Sequence, residues 1–540
     1  MAALTTNFAA LPELVRYMAE KISNRHELFT LSLVNKTFNT AVTPVLYRHI
    51  ELTDDTIDES KDFLSKWLES GRLRHVRVLT VAIKKILSHE EIGTILIPMI
   101  NQMPQLERLI WNDVGTHLPK NLLTVFHEKC PQLKELEITY PPDMSRFLGY
   151  SSEEVQPEGT GDVERALYAE PEIARFSGLK SLVLKNLFED LGWFRDRIVE
   201  VLVQSPELER FEVSLGVKTI LRHHLQNEGD KFENWFDELC AEYGATGAKP
   251  LRLRYLGLAG AVYPFKEKSI HMLTDLKHLE ELRLENEGVW DSGKNIVDMY
   301  NDYEDSGIVF EEFGPDNCPR LRRFSLACLQ RDVNRLLANS DPAWLRQIAF
   351  SARDTWGGYE WAGLLRSDEL FPSYPVHPRM MHIELKRDQV ILKDEDGEQG
   401  DDDDIPTAEE VLNDLVSGDD VGVLEGLAVH LEIKEEGSES EICFEDFDMF
   451  ADALSKLPNL TQLAVVEYRR AERLIKPEEA EHTARLLAAA GSRIHYLRVH
   501  NRYWRVWREE GDNIRLETLS PEERRECELF SFLNWEPSPF

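Results

Sequence analysis

Cys130-Pro131-Gln132-Leu133-Lys134-Glu135-Leu136-Glu137-Ile138 holds the phrase on which the reading of this chain turns. Leu136 and Ile138 stand two apart, so on a strand they share one face, while Glu137 between them faces the other way. Leu133 tucks the approach to the strand into the same core. The frame L-x-x-L-x-L, with other apolar residues allowed, recurs after proline at Pro104-Gln105-Leu106, Pro206-Glu207-Leu208, Pro319-Arg320-Leu321 and Pro458-Asn459-Leu460. Without proline it starts at Val76, Leu179, Leu253, Leu279, Leu345, Met380, Leu424 and Ile494, which makes thirteen frames. The residue between the last two apolar positions is charged or small, as at Glu137, Glu212 and Arg283.

Helix-period segments lie between the frames. Phe194, Ile198, Val201 and Leu202 form one; Ile92, Ile95, Leu96, Met99 and Met103 a second; Phe447, Phe450, Ala451, Leu454 and Leu457 a third. A proline after such a segment stops the helix, and the residue before it is driven toward extended backbone. One strand and one helix cannot bury their own apolar face, but a stack of such units shares a continuous core. The expectation is an α/β chain with a parallel sheet; a doubly wound α/β enzyme is the alternative. Start-to-start spacings run from 24 (Leu321 to Leu345) to 46 (Leu133 to Leu179).

These frames resemble the leucine-rich repeat family, in the variety whose strand follows Cys-Pro-x-Leu, matched here at Cys130-Pro131-Gln132-Leu133 and Cys318-Pro319-Arg320-Leu321. The resemblance spans Val76 to Val499 and implies an irregular βα solenoid shaped as a horseshoe. The family's turn asparagine or cysteine has counterparts at Asn186, Asn286, Cys328 and Asn501, one residue early.

Ahead of the frames stand Leu11-Pro12-Glu13-Leu14-Val15, then His26-Glu27-Leu28-Phe29-Thr30-Leu31-Ser32-Leu33-Val34-Asn35-Lys36-Thr37-Phe38, then Pro44-Val45-Leu46-Tyr47-Arg48-His49-Ile50. Pro12 suits a first helical position. Ser23 or Asn24 can cap the next helix. Leu28, Leu31, Val34, Phe38 and Val42 step by three and four as one apolar stripe, and Pro44 is expected to end it. Forty residues are too few for an independent core, so the unit should lean on a partner or on the first repeat. It could also serve as the cap that seals a repeat array.

The segment is similar to an F-box, of the kind found in many fungal proteins, in its Leu-Pro-x-Glu-Leu start, its Leu-x-Leu-Ser-Leu-Val-x-Lys-x-Phe centre and its Pro-x-Leu-Tyr-Arg-x-Ile end. His26-Glu27 stands where many members have Asp-Leu, and Phe38 where many have Trp. The resemblance implies docking onto the Skp-type adaptor of a Skp–cullin–F-box ubiquitin ligase. The implied contacts are Leu11, Pro12, Leu14 and Val15, then Leu28, Leu31, Val34 and Phe38. The expected organisation is a tail (1–10), a three-helix F-box (11–50), a helical connector (51–75), repeats (76–500) and a C-terminal cap or tail (501–540). Two insertions interrupt the repeats, at 141–172 and at 393–420. The function implied is a substrate receptor and not an enzyme, with an unknown protein substrate; a scaffold outside any ligase is the alternative.

Composition narrows the classes further. The 540 residues include 62 basic and 97 acidic side chains, a net charge of −35. That excess repels phosphate backbones and anionic lipid, so neither nucleic acid nor membrane is expected as a partner. The acidity is concentrated. Residues 394–448 hold 22 acidic side chains and one basic one, Lys434, so a basic substrate or a basic regulatory segment is expected to dock near them. Six scattered cysteines argue for a reducing compartment. The first residues lack a basic stretch followed by an apolar core, and the longest apolar runs, such as Ile95 to Ile100, fall short of a span. The expected location is cytoplasm or nucleus.

No cofactor or metal is implied. Gly288-Val289-Trp290-Asp291-Ser292-Gly293-Lys294-Asn295 nearly spells a phosphate-binding loop, but Asn295 replaces the hydroxyl that would hold Mg²⁺. The acidic run Asp401 to Asp404 fits no EF-hand frame. Arg502-Tyr503-Trp504-Arg505-Val506-Trp507-Arg508 interleaves cations with aromatics and reads as a C-terminal seal, with a ligand-contacting patch as the alternative.

Overall fold

The computed structural model describes residues 12–22, 25–58, 66–85, 87–112, 118–140, 171–187, 191–215, 235–259, 269–285, 313–314, 316–326, 345–353, 380–386, 424–432, 447–468, 477–508, 513–520, 523–524, 527 and 529. The chain divides into two compact units, Met1–Asp275 and Leu276–Phe540. Both mix helices with a parallel sheet. Leu11, Ser23, Asn24, the near phosphate loop 288–295, the acidic insertion 393–420 and all but the end of the insertion 141–172 lie outside the described residues.

The first unit opens with three helices, α1 (Pro12–Ala19), α2 (Arg25–Ser32) and α3 (Lys36–Leu46). Val15, Ala19, Leu28, Ala41, Val42 and Leu46 make their shared core, with Leu31, Phe38 and Tyr47 packed against it. The single apolar stripe read from Leu28 to Val42 is corrected here, because the chain breaks after Ser32. Asn35 has extended backbone (φ −165°) and its side chain accepts from Phe38 N at 3.0 Å, which caps α3 as a separate helix. Pro44 does not end the run either. It sits in the last turn of α3, which closes at Leu46 with Tyr47 N donating to Thr43 O at 3.1 Å. The missing N–H of Pro44 forfeits one helical bond, to the Thr40 carbonyl.

The parallel sheet then begins earlier than the first frame read from the sequence. β1 (His49–Thr53) pairs with β2 (Val78–Ala82), Ile50 opposite Leu79 and Leu52 opposite Val81. By that register Tyr47-x-x-Ile50-x-Leu52 is a fourteenth frame, overlapping the end of the three-helix segment. A short helix, α4 (Asp54–Asp58), follows β1. Next come α5 (His89–Ile100), β3 (Arg108–Trp111), α6 (Lys120–Lys129), β4 (Glu135–Thr139), β5 (Ser181–Leu187), α7 (Leu191–Gln204), β6 (Arg210–Leu215), α8 (Trp235–Ala245), β7 (Tyr255–Ala259) and α9 (Ile270–Leu273). The seven strands pair in chain order, all parallel. α5 starts on a capping box, in which Ser88 Oγ accepts from Glu91 N at 3.2 Å and Glu91 Oε2 accepts from Ser88 N at 2.8 Å.

The frame does what its spacing requires. Leu136 and Ile138 are fully buried, as are Phe211 and Val213. The helix stripes meet them, with Ile92, Leu96 and Met99 of α5 and Ile198, Val201 and Leu202 of α7 all at 0% exposure. Asn186 has left-handed backbone (φ 58°) at a break in the β5–β6 register. Its N–H donates to Ser214 Oγ at 2.8 Å and its amide to Tyr140 O at 3.2 Å, so one residue ties three neighbouring chain segments.

The second unit contains β8 (Glu281–Glu285), β9 (Arg323–Leu326), β10 (Gln347–Arg353), β11 (Met380–Lys386), β12 (Gly426–Glu432), α10 (Phe447–Ser455), β13 (Gln462–Tyr468), α11 (Pro477–Ala490), β14 (Tyr496–Val499), β15 (Arg502–Arg508) and β16 (Ile514–Thr518). β8 to β14 are parallel and in chain order, and β15 and β16 add antiparallel. Met381 lies opposite Leu427 and Ile383 opposite Val429. The frame read as starting at Met380 is therefore two residues out of phase. Its parity is correct, because a shift of two returns each side chain to the same face.

Candidate interaction surfaces

Of nine large exposed apolar side chains among the described residues, five lie in the three-helix segment. Tyr17 (60% exposed) and Met18 (55%) stand on α1, Phe29 (49%) on α2, and Leu33 (66%) and Val34 (59%) in the turn before α3. Phe29 also lines an open groove with Arg25, His26, Leu46 and Tyr47. Tyr47 is fixed from behind. Its hydroxyl oxygen accepts from Arg72 Nη1 at 2.5 Å, and Trp67 meets its ring edge-on at 6.5 Å between centroids.

The contact residues expected from the F-box resemblance are divided by this geometry. Pro12 and Val34 are exposed, and Leu14, Leu31 and Phe38 are half-buried. Val15 (2%) and Leu28 (6%) are internal and build the unit's own core. Tyr17, Met18, Phe29 and Leu33 escaped the sequence reading. Their signal was available, since large apolar residues interrupt the polar surface of two short helices and the turn after them.

A second surface lies on the outward face of β3 to β7. Arg108 meets Glu135 at 3.4 Å and Glu137 at 3.2 Å. Lys185 bridges Glu137 (3.9 Å) and Glu212 (3.3 Å), and Arg210 meets Glu212 at 2.7 Å. Tyr255 Oη donates to Glu212 Oε2 at 2.9 Å, and the Arg210 guanidinium lies 4.2 Å from the Tyr255 ring centroid. Burial works against the charge of Arg210, but Tyr255, Glu212 and Glu137 outweigh it and hold its pKa above the ordinary value. Glu212 faces outward as the frame predicts, yet it is buried in this network at 6% exposure. The Thr139 hydroxyl, opposite Lys185 in the β4–β5 register, is buried without a hydrogen-bond partner. Opposite charges cancel across the array, so it offers shape and hydrogen-bonding groups rather than a poised acid or base.

Cysteine chemistry is muted. Burial pushes the Cys130 thiol up to about 12, and burial followed by nearby Asp237 raises Cys240 well above its usual range. Neither is a thiolate near neutral pH. Cys130, Cys240, Cys318 and Cys527 are buried thiols. Among the described residues no group of three His, Cys, Asp or Glu side chains could hold a metal ion, and no helix is long and apolar enough to cross a membrane.

The cation–aromatic run is β15, and two of its three cations, Arg505 and Arg508, bond to the chain itself. Tyr503, Trp504 and Val506 are buried, the Arg505 guanidinium lies 5.8 Å from the Tyr496 and Trp507 ring centroids, and Arg498 lies 5.0 Å from that of Tyr503. The hairpin from β14 turns at His500, in left-handed backbone (φ 54°), and Arg498 Nε donates to His500 O at 2.6 Å. Beyond β16, Ser520 and Glu523 form a second capping box. Ser520 N donates to Glu523 Oε2 at 2.9 Å, and Glu523 N to Ser520 Oγ at 3.4 Å. The sequence signal, Ser520-Pro521-Glu522-Glu523, is a helix start with proline at its first position. No protein-family model matches the chain, and no curated protein matches it.

Proposed function

We propose that this chain is the substrate-recognition subunit of a Skp–cullin–F-box ubiquitin ligase. The observation that carries the reading is the concentration of exposed apolar side chains in the three-helix segment, at Tyr17, Met18, Phe29, Leu33 and Val34. An unpartnered apolar surface on a small helical unit is a docking surface. Each large side chain covered by an adaptor contributes roughly 1.5–3 kcal/mol, before the cost of association is subtracted. The repeats are read as an irregular leucine-rich-repeat solenoid. In support, each parallel strand arises from one L-x-x-L-x-L frame, and within each unit the strands follow chain order.

In this account the three-helix segment holds the adaptor, the outward sheet face holds a protein to be ubiquitinated, and bond chemistry belongs to other subunits. The outward face offers its shape and hydrogen-bonding groups to the substrate, and the acidic sequence of residues 394–448 favours a basic one. Co-expression of the chain with a Skp-type adaptor tests the reading. Recovery of a stoichiometric complex is expected, and an adaptor that elutes separately at micromolar concentrations overturns it.

A further inference from the structure

The last strand of the second unit's sheet presents a row of backbone groups to solvent. β15 lies between β14 and β16, and alternate residues of it serve each neighbour. Leu519 N donates to Tyr503 O at 3.0 Å, so the pairs that exchange ladder bonds are Tyr503 with Leu519, Arg505 with Glu517 and Trp507 with Arg515. Ile514, Leu516 and Thr518 alternate with those residues and turn their N–H and C=O groups away from β15. Arg485 Nη1 donates to Ile514 O at 2.7 Å, but among the described residues Leu516 and Thr518 form no hydrogen bond on that side. Arg515, Glu517 and Thr518 are exposed. Such an edge is a template for a further strand.

Charges on an edge ordinarily keep other strands away. Here they are placed symmetrically about an apolar midpoint, as Ile514-Arg515-Leu516-Glu517-Thr518. A parallel copy in register would set Arg515 against Arg515 and Glu517 against Glu517. An antiparallel copy centred on Leu516 sets Arg515 opposite Glu517 twice, while centring on Arg515 or on Glu517 again puts like charges opposite. The backbone selects the same register. Leu516 with its counterpart, and Ile514 with Thr518, are the pairs whose outward N–H and C=O groups meet. Arg515 and Glu517 then occupy the closer sites without backbone bonds, where cross-strand charge pairs lie nearest. Among the described residues Arg515 has no ion pair in its own chain, and Glu517 Oε2 accepts from Trp507 Nε1 at 2.6 Å, which leaves its other oxygen for an arginine.

We propose that β16 is a self-docking edge, through which two copies of this chain pair antiparallel with Leu516 on the two-fold axis. The occupant is a second copy because an identical strand brings Glu517 to Arg515 and Arg515 to Glu517 in one register. The net charge of −35 opposes the approach of two copies. That repulsion is screened beyond a Debye length of about 8 Å at 0.15 M salt, whereas the paired side chains lie within it. The interface is closed, since each edge is used up by its twin. The inference rests on the second unit alone and does not depend on adaptor binding.

Sedimentation equilibrium of the full chain, from about 1 to about 100 μM, tests this. The average mass should rise with concentration from that of one chain toward that of two. Arg515→Glu and Glu517→Arg should each weaken the dimer at least about tenfold, because like charges then stand opposite at both places. An equimolar mixture of the two variants should recover the dimer, since each supplies the sign that the other lacks. The double variant Arg515→Glu/Glu517→Arg should recover it too. Leu516→Pro removes an outward N–H and no bond to β15, and should abolish the dimer; if it also disturbs β16, the charge exchanges, made on exposed side chains, decide. A chain that stays single over the whole range overturns the proposal. So does a dimer that the single charge variants leave intact, or single variants that fail to recombine, either of which places any association on another surface.

Discussion

Tyr255 Oη reaches across β7 to donate to Glu212 Oε2 at 2.9 Å, and it passes over Gly257 to do so. Gly257 lies directly opposite Glu212 in the β6–β7 register. A Cβ at position 257 would stand 2.8 Å from Glu212 Cγ and 2.9 Å from Tyr255 Oη, so this glycine is required for closeness rather than for its backbone angle. Gly257→Ala should cost about 1–3 kcal/mol by overpacking, read from the urea midpoint of unfolding.

Glu212→Gln should be costlier than its exposed neighbour. Its carboxylate is 8% exposed and answers Lys185, Arg210 and Tyr255, whereas Glu135, which meets Arg108 alone in the same array, is 45% exposed. Loss of the Glu212 charge leaves two cations poorly compensated, about 2 kcal/mol after discounting for their partial exposure. Glu135→Gln should stay within about 0.5 kcal/mol of the unaltered chain. Equal effects in chemical denaturation would show that the network is not cooperative.

The three-helix segment separates stability from binding. Val42 is fully buried and Val34 is 59% exposed. Val42→Ala should destabilise the unit by about 2 kcal/mol, and Val34→Asp by less than about 0.5 kcal/mol. Hydrogen exchange of α1 to α3 reads both. Faster exchange in Val34→Asp than in Val42→Ala would reverse the assignment of core and surface.

Acidification should weaken the first unit. His49, His75 and His89 each have a pKa below the ordinary value, with burial the largest cause. For His49, Glu51 opposes the shift while Arg25 and Arg108 add to it. A histidine held neutral by the fold contributes its stability above the unfolded pKa of about 6.5, and that contribution is lost as pH falls through the folded value. The thermal midpoint should therefore drop between about pH 7.5 and about pH 5.5, and His49→Gln should flatten part of that drop. A midpoint unchanged over that interval contradicts the lowered pKa values of these rings.

Much of this architecture was legible because a period of two is a strong physical signal. One apolar pair per frame fixes which face is inside, and the registers of β2 to β7 and of β8 to β10 follow those pairs. The misses share a cause: apolar character alone does not set phase. Met380 satisfied the frame chemically, yet the sheet places Met381 and Ile383 opposite Leu427 and Val429. Tyr47-x-x-Ile50-x-Leu52 was hidden because its first position is aromatic and belongs also to the core of the three helices. The break after Ser32 was invisible to periodicity and turned on a single cap at Asn35. The outward network was half legible: Glu137 and Glu212 were read as outward, but their partners sit on neighbouring strands at sequence distances that no local pattern encodes.

The central claim is that exposed apolar side chains of the three-helix segment hold a Skp-type adaptor. Leu33 (66% exposed) and Val34 (59%) are the sharpest probes, since neither belongs to the core. Adaptor affinity should be measured by calorimetry for the unaltered chain and for a Leu33→Asp/Val34→Asp chain, with hydrogen exchange to verify that α1 to α3 remain folded. The account predicts a complex with the unaltered chain and a loss of affinity of at least about a hundredfold in the double variant, two large apolar contacts' worth. Equal affinity for both chains, or no binding to either, would contradict it.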